Sequence, residues 1–463
     1  MSCKYYGCTG LKSVVIPHSV CYIGVCALEG CTSLRSIHIP DGENYLIIEK
    51  KAFHGCSDLT DIHIPDHVYY IGPSAFEGCT GLKSFKIPET IDEIKERTFA
   101  DCSSLTSITI PNSVTKIGEG AFASCVGLKN VTIPDPENIF QYLEIIESET
   151  FKGCSGLTDI HIPDNVTYIG PYAFMGCSGL KSITIPDSVH GIGWKAFMGC
   201  SGLRNITIPD GLEICEDAFN GCTRLTNINI TESDLNEYVS NDIIIKACAF
   251  EGCTSLKSFT IDKTVTTIGR RSFAGCTGLM SITIPGSVVK IGDNFFEGCN
   301  NLYRIVVDKS NKQFDSRDNC NAIIKTVDNV LLMGCKTTII PDTVTKIGDF
   351  AFYGCIGLTS INIPDSVTEI GCSSFYGCTR LKNIIIPDSV TKIGENAFTE
   401  CTGLMSITIP DSVTHIGKGV FYGCPGLETI NVPSNKAGFY KKHLTKNLHD
   451  KIVELPAVKE VKK

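Results

Sequence analysis

The run Leu105-Thr106-Ser107-Ile108-Thr109-Ile110-Pro111, with Val114-Thr115-Lys116-Ile117-Gly118 and Ala121-Phe122-Ala123-Ser124-Cys125 behind it, decides the fold of this chain. Its first part alternates apolar and polar residues, the period of a strand with one buried face. Pro111 ends that strand, because proline has no N–H to give to a ladder. Residues 114–117 make a second short extended piece, which Gly118 stops. Ala121, Phe122 and Cys125 then fall on one side of a single helical turn. Three sides per passage predict a coil of triangular section.

The phrase recurs along almost the whole chain of 463 residues. Its closing Cys appears seventeen times between Cys8 and Cys424, and eleven of the sixteen intervals are 23 residues. A fixed period of that size means one supersecondary unit per repeat, stacked on its neighbours around a continuous core. The separate domains that length alone would suggest are therefore rejected. About eighteen first strands can be counted, and fifteen of them end in Pro. The expected fold is mainly β with short helical turns: a solenoid of about eighteen coils over residues 1–433, with a long parallel sheet on one face. At ~4.8 Å per strand that sheet would run roughly 85 Å before curvature.

The I-x-I-P, V-x-x-I-G and A-F-x-G-C elements together resemble the BspA-like leucine-rich-repeat surface proteins, over residues 1 to about 433. The Asn ladder of typical leucine-rich repeats is missing. The resemblance implies a leucine-rich-repeat solenoid with a binding role, often adhesion, on exported proteins at the cell surface. Its implied partners are proteins or glycans on a host or neighbouring cell.

The period lengthens by two residues near 44–50, by six across 135–150 and by eight across 232–246. All three insertions follow the end of a first strand, so they are expected to bulge from one edge. The largest break, about 302–341, contains Asp315-Ser316-Arg317-Asp318-Asn319-Cys320. Behind it, residues 322–325 and 330–333 flank the turn-prone Asp328-Asn329 and read as a hairpin. Cys320 beside Asp318 lacks a nearby His to act as base, so a structural turn network is expected there. Residues 434–463 leave the repeat. Tyr440, Leu444, Leu448 and Ile452 recur every four residues, predicting an amphipathic helix that caps the last coil, followed by a basic tail.

The chain holds 41 Lys and Arg against 50 Asp and Glu, a net charge of −9, which does not indicate nucleic-acid binding. No stretch approaches the ~18 apolar residues needed to cross a bilayer, and Met1 to Gly10 lacks a basic-then-apolar leader. Of 25 Cys, seventeen share one repeat position and should stack. Their parallel Cβ vectors aim the sulfurs poorly at one another, so a reduced packing ladder is expected rather than disulfides. No C-x-x-C pair offers a zinc site, and no catalytic motif is present. No metal, cofactor or catalytic residue is expected.

The second, third and fifth residues of each first strand face outward. The candidate ligand-binding positions are Arg35, Ser36 and His38; Asp61 and His63; Lys83, Ser84 and Lys86; Ser107 and Thr109; Asn130 and Thr132; and Asp159 and His161. His38 and His63 hold equivalent positions on adjacent coils, with Asp61 as the one nearby carboxylate, too few ligands for a metal. This polar array suits hydrogen bonding to a glycan or a polar protein surface, and it lacks the Tyr and Trp anchors of a tight hot spot. The expected function is non-enzymatic binding or adhesion at the cell surface. The alternative is an intracellular scaffold for protein–protein interaction, which the many thiols would suit.

Overall fold

The computed structural model describes residues 5–135, 143–209, 211–231 and 243–456. Contacts group the chain into two compact units, Met1–Cys253 and Thr254–Lys463. Both are built from the coil that the sequence predicts. In the first unit, Ser107–Thr109 pairs in parallel with Asn130–Thr132 of the next coil, and Ile108 and Val131 point into the core between exposed neighbours. Pro111 accepts a hydrogen bond from Val114 across the first corner (3.1 Å). Lys116–Ile117 then pairs with Glu93–Ile94 in a second parallel column.

The longer ladder is this second column, not the first, although Tyr22–Ile23, Leu46–Ile48 and Val68–Ile71 form a separate set of three. In the first unit it runs through seven short strands, from Glu93–Ile94 to Ile243–Ile245. The first strands form three sets of three instead of the single long sheet expected. One interruption falls at residues 82–87, where Phe85 stands in the usual Ile position. The larger ring packs edge-on against Phe76 and Phe99 (4.9 and 4.7 Å between centroids). There the ladder keeps only long bonds, Lys83 N–H to Thr60 O at 3.3 Å and Thr106 N–H to Lys83 O at 3.2 Å.

The third side also differs from expectation. Residues 121–125 are not a helical turn but the end of two linked turns, closed by Ala121 N–H to Gly118 O and Cys125 N–H to Phe122 O (3.1 and 3.2 Å). Gly120 and Ser124 take left-handed backbone, φ +60° and +59°. The reversal aims alternate N–H groups along the stack, so Phe122 donates to Thr150 of the next coil at 3.0 Å. Arg97, Glu149, Tyr172 and Lys195 occupy the Gly120 position of their coils with φ between 53° and 58°. A Cβ there costs roughly 1–2 kcal/mol, offset by the inter-coil bonds that this geometry allows.

Inside the first unit, nine phenylalanines from Phe53 to Phe250 stack with centroids 5.1–5.7 Å apart and planes within 19°. The Cys ladder lies beside them as thiols. Each sulfur donates to a carbonyl one coil back, as Cys102 does to Phe76 O (3.2 Å) and Cys125 to Phe99 O (3.0 Å). Sulfurs aimed at carbonyls are not aimed at each other, which is the geometric reason that stacking does not become cross-linking. Burial pushes Cys56, Cys154 and Cys200 up to about 12. At pH 8 such thiols are almost wholly protonated, whereas Cys8 and Cys21 are exposed. Brief iodoacetamide treatment of the native protein, read by peptide mass spectrometry, is therefore expected to modify Cys8 and Cys21. The buried ladder should react only after denaturant is added.

The predicted hairpin of the second unit is present: Ala322–Lys325 pairs antiparallel with Val330–Gly334, with a bulge at Ile323 and Ile324. Phe314–Asp315 adds a third antiparallel strand, and Val330–Gly334 rejoins the repeat by pairing in parallel with Lys346–Ile347. The four-residue spacing in the tail does not become one helix. Ala437–His443 is helical, extended backbone at Leu444 (ψ 152°) ends it, and Lys446–Lys451 is a 3-10 segment. Ile452–Glu454 then pairs in parallel with Thr429–Val432, so Ile452 extends the sheet instead of a helix face. Of the three insertions, 136–142 and 232–242 lie outside the described residues. The two extra residues of the remaining one fall within 41–45, because Leu46–Ile48 is itself the second strand of that coil.

Candidate functional site

The fourteen sequence-predicted positions all lie on described residues of the first unit, and all are exposed. Parallel register sets them in rows across the coils. Ser36 stands opposite Asp61, Ser107 opposite Asn130, Thr109 opposite Thr132, and Asn130 opposite Asp159. Strand alternation does this: Ile37, Ile62, Ile108 and Val131 are drawn inward, which leaves their polar neighbours on the outer face.

A shallow groove of about 590 Å³ crosses the face where Phe85 interrupts the ladder. It brings together Asp61, His63, Ser84, Lys86, Ser107 and Thr109, over a floor that includes Ile62, Phe85 and Ile108. Arg35, Ser36 and His38 lie on the preceding coil, Asn130 and Thr132 on the following one, and Asp159 and His161 one further along. Glu89 also lines the groove and was not singled out by sequence, because it sits past the strand-ending Pro88.

The charges on the face are lightly engaged. His63 lies 3.9 Å from Asp41, Arg35 lies 3.9 Å from Asp58, and His161 Nε2 contacts Asp135 at 2.8 Å. Such exposed pairs contribute little to stability. The arrangement offers hydroxyls, imidazoles, a carboxylate and ammonium groups without a nucleophile–base contact. Among the described residues, no three or more His, Cys, Asp and Glu side chains are placed to hold a metal ion. No helix there is long and apolar enough to cross a membrane.

In the second unit, the irregular segment forms the wall of another groove of about 790 Å³, lined by Thr283, Val306, Asp308, Arg317, Asp318 and Asn319 among others. Arg317 holds Asp315 through Nε (2.9 Å) and Nη2 (2.6 Å), and donates through Nη1 to Asn329 and Thr343 (2.9 and 3.2 Å). Asn311 donates to Pro285 O and Val288 O while accepting from the N–H groups of Gln313 and Phe314. Cys320 is buried, and burial pushes its thiol up to about 11, far from a nucleophile's range. The segment is a turn network fastening the hairpin. Asn311 was missed by sequence because it lies outside the repeat with no motif to flag it.

Comparison with known sequences matches the BspA type leucine rich repeat region over residues 2–125, 144–244, 237–328 and 325–447. The chain belongs to the BspA-type leucine-rich-repeat family. A leucine-rich repeat protein from Bacteroides ovatus ATCC 8483 is 27% identical, covers 96% of this chain and 92% of its own, and superposes with a TM-score of 0.53. A leucine rich cell surface protein from Faecalibacterium prausnitzii A2-165 is 31% identical, with 74% of this chain and 77% of that one covered and a TM-score of 0.48. A leucine-rich repeat protein of T. pallidum is 30% identical over 37% of this chain and 78% of its own, with a TM-score of 0.33. No relative matches among curated proteins. Within the BspA-type pattern, the Phe stack and the Cys ladder form the framework that holds the polar face in register.

Proposed function

We propose that this BspA-type protein is a non-enzymatic binding protein that presents the outward first-strand face of its first unit to a protein or glycan, in adhesion at a cell surface. The observation that carries this reading is the face itself. Nine consecutive coils, from Arg35 to Asn229, hold polar side chains outward in fixed register on a rigid core, with a groove at the interrupted ladder. Preorganised donors and acceptors bind without the ordering cost of a flexible surface. The Faecalibacterium relative, described as a cell surface protein, supports the location. The intracellular alternative drew on the number of thiols. Buried, carbonyl-bonded thiols with raised pKa are packing elements, so their number gives that alternative no particular support.

The reading is tested by obstructing the face without changing its charge. Full-length protein and a Thr109→Tyr/Thr132→Tyr variant are applied to arrays of glycans and purified extracellular proteins. Thr167→Tyr, on the second column, serves as control. A ligand bound by the wild type and the control should be weakened about tenfold or more by the paired substitution, roughly 1.4 kcal/mol. Undiminished binding by the obstructed face would remove it as the site.

A further inference from the structure

We propose that the first-strand face of the first unit recognises a linear acidic polysaccharide carrying one anionic group per disaccharide. This narrows the partner-binding reading above and rests on it. The outward positions of the ten first strands in this unit hold seven Lys or Arg against two Asp, in a chain whose net charge is −9. The cations are concentrated in one column, the second residue of each strand. In coil order that column reads Lys12, Arg35, Thr60, Lys83, Thr106, Lys129, Thr158, Lys181, Arg204 and Thr226, alternating cation and threonine from Arg35 to Lys181. Main-chain bonds fix the register from Thr60 onward: Lys83 N–H to Thr60 O, Lys129 N–H to Thr106 O and Lys181 N–H to Thr158 O, at 3.3, 2.9 and 3.3 Å. Between Arg35 and Lys181 a cation therefore recurs every second coil, ~10 Å apart at ~4.8 Å per strand, and Lys12 and Arg204 each add a cation on the adjoining coil. That two-coil interval is close to the length of a disaccharide in an extended chain.

Two further observations point outward, to a ligand. First, many cations on the other sides of this unit are paired within the protein. Arg97 binds Glu77 at 2.7 Å, Lys116 meets Glu93 at 3.5 Å, Lys152 pairs with Glu149 at 2.8 Å, and Lys246 pairs with Glu213 at 2.7 Å. Among the described residues no carboxylate pairs with Lys83, Lys129 or Lys181, and all three are exposed. Second, the intervening threonines turn their hydroxyls back to the frame. Thr106 donates to Lys83 O at 3.3 Å and Thr158 to Lys129 O at 3.5 Å, which leaves the ammonium groups as the projecting feature. Beside the column run Ser84, Ser107, Asn130 and Ser182, which can exchange hydrogen bonds with sugar hydroxyls, with Asp61 and Asp159 at the same position on threonine-bearing coils. The outward positions of this unit hold no Phe, Tyr or Trp on which a nucleic-acid base could stack. They also lack the apolar centre of a protein hot spot. Spacing, unpaired charge and hydroxyl-rich flanks together favour an acidic glycan over either.

The test titrates full-length protein with a labelled hyaluronan oligosaccharide, which carries one carboxylate per disaccharide. A neutral chitin-derived oligosaccharide of equal length and poly-glutamate are the comparators. Hyaluronan should bind, and should weaken on the order of tenfold or more as added salt shortens screening from ~10 Å at 0.1 M to ~3 Å at 1 M. The Lys83→Gln/Lys129→Gln/Lys181→Gln variant should lose that binding with unchanged thermal unfolding. Lys418→Gln/Lys441→Gln/Lys442→Gln, which removes the same charge elsewhere, should keep it. Absent hyaluronan binding, equal binding of the neutral glycan, or an unaffected triple variant overturns the proposal. Poly-glutamate binding as tightly, with the same loss in the triple variant, overturns it as well, because charge without the sugar is then what is read. If the triple variant still binds a ligand that Thr109→Tyr/Thr132→Tyr blocks, the charged column is refuted while the face remains the binding surface.

Discussion

Replacing Phe197 with alanine will lower the free energy of unfolding by about 3–5 kcal/mol, among the largest losses a single side chain in this protein can produce. The Phe197 ring is fully buried and stacked between Phe174 and Phe219, at 5.1 and 5.2 Å with planes within 7°. Removing it deletes contacts on both sides at once. The cavity cannot close easily, because the coils above and below are held apart by their own ladder bonds. Phe197 O also accepts the Cys222 thiol, so any backbone relaxation into the hole disturbs the Cys ladder too. In a stack where each coil touches only its neighbours, the damage should be local. Hydrogen exchange should rise first in the coils around Phe197, and urea denaturation should shift to a lower midpoint. Trp194→Ala, on a ring 42% exposed, provides the comparison and should cost much less. A midpoint that barely moved for Phe197→Ala would count against the stacked-ring account of the core.

The same stack shows which features of the molecule were legible in its sequence. Strand alternation, the strand-ending prolines and the repeated Phe and Cys each encode one local preference. They agree at most coils, so strands, core and outward positions follow directly there. The groove was not legible, although its residues were. Phe85 is one conservative exchange among many in the repeat, and only the strand pairing shows that the ladder is interrupted at its coil. The left-handed turns were hidden for a different reason. Arg97, Tyr172 and Lys195 carry no sequence mark of positive φ, since it is the inter-coil bonding and not the residue that selects it. The cationic column could be read only once register was fixed, because net charge averages over faces that are separately acidic and basic. In the tail, spacing suggested a helix because Tyr440, Leu444, Leu448 and Ile452 do converge on the last coil; a bent path brings them there as well as a straight one.

That convergence gives the second large effect. A chain ending after Pro433 should lose at least about 5 kcal/mol from the second unit and become prone to self-association. Tyr440, Leu444 and Leu448 are all buried and belong to the cluster that contains Val432, Ile430 and Phe421. Burying three side chains of this size is worth roughly 1.5–3 kcal/mol each. Their loss also leaves the last coil's own apolar residues facing water. The backbone compounds the damage: Thr429–Val432 gives up its parallel partner Ile452–Glu454 and becomes an open edge, a template for other strands. Point variants separate the two contributions. Leu448→Ala should cost about 2–5 kcal/mol by cavity formation while leaving the edge covered. A proline at Val453 should disturb edge pairing while keeping Tyr440, Leu444 and Leu448. If packing dominates, Leu448→Ala will lower the urea midpoint with little light scattering. If edge protection dominates, the proline variant will scatter light at a temperature where its midpoint has hardly changed. Truncation that altered neither would mean that the tail decorates the last coil without supporting it. The burial of three large side chains against that coil argues for the opposite result.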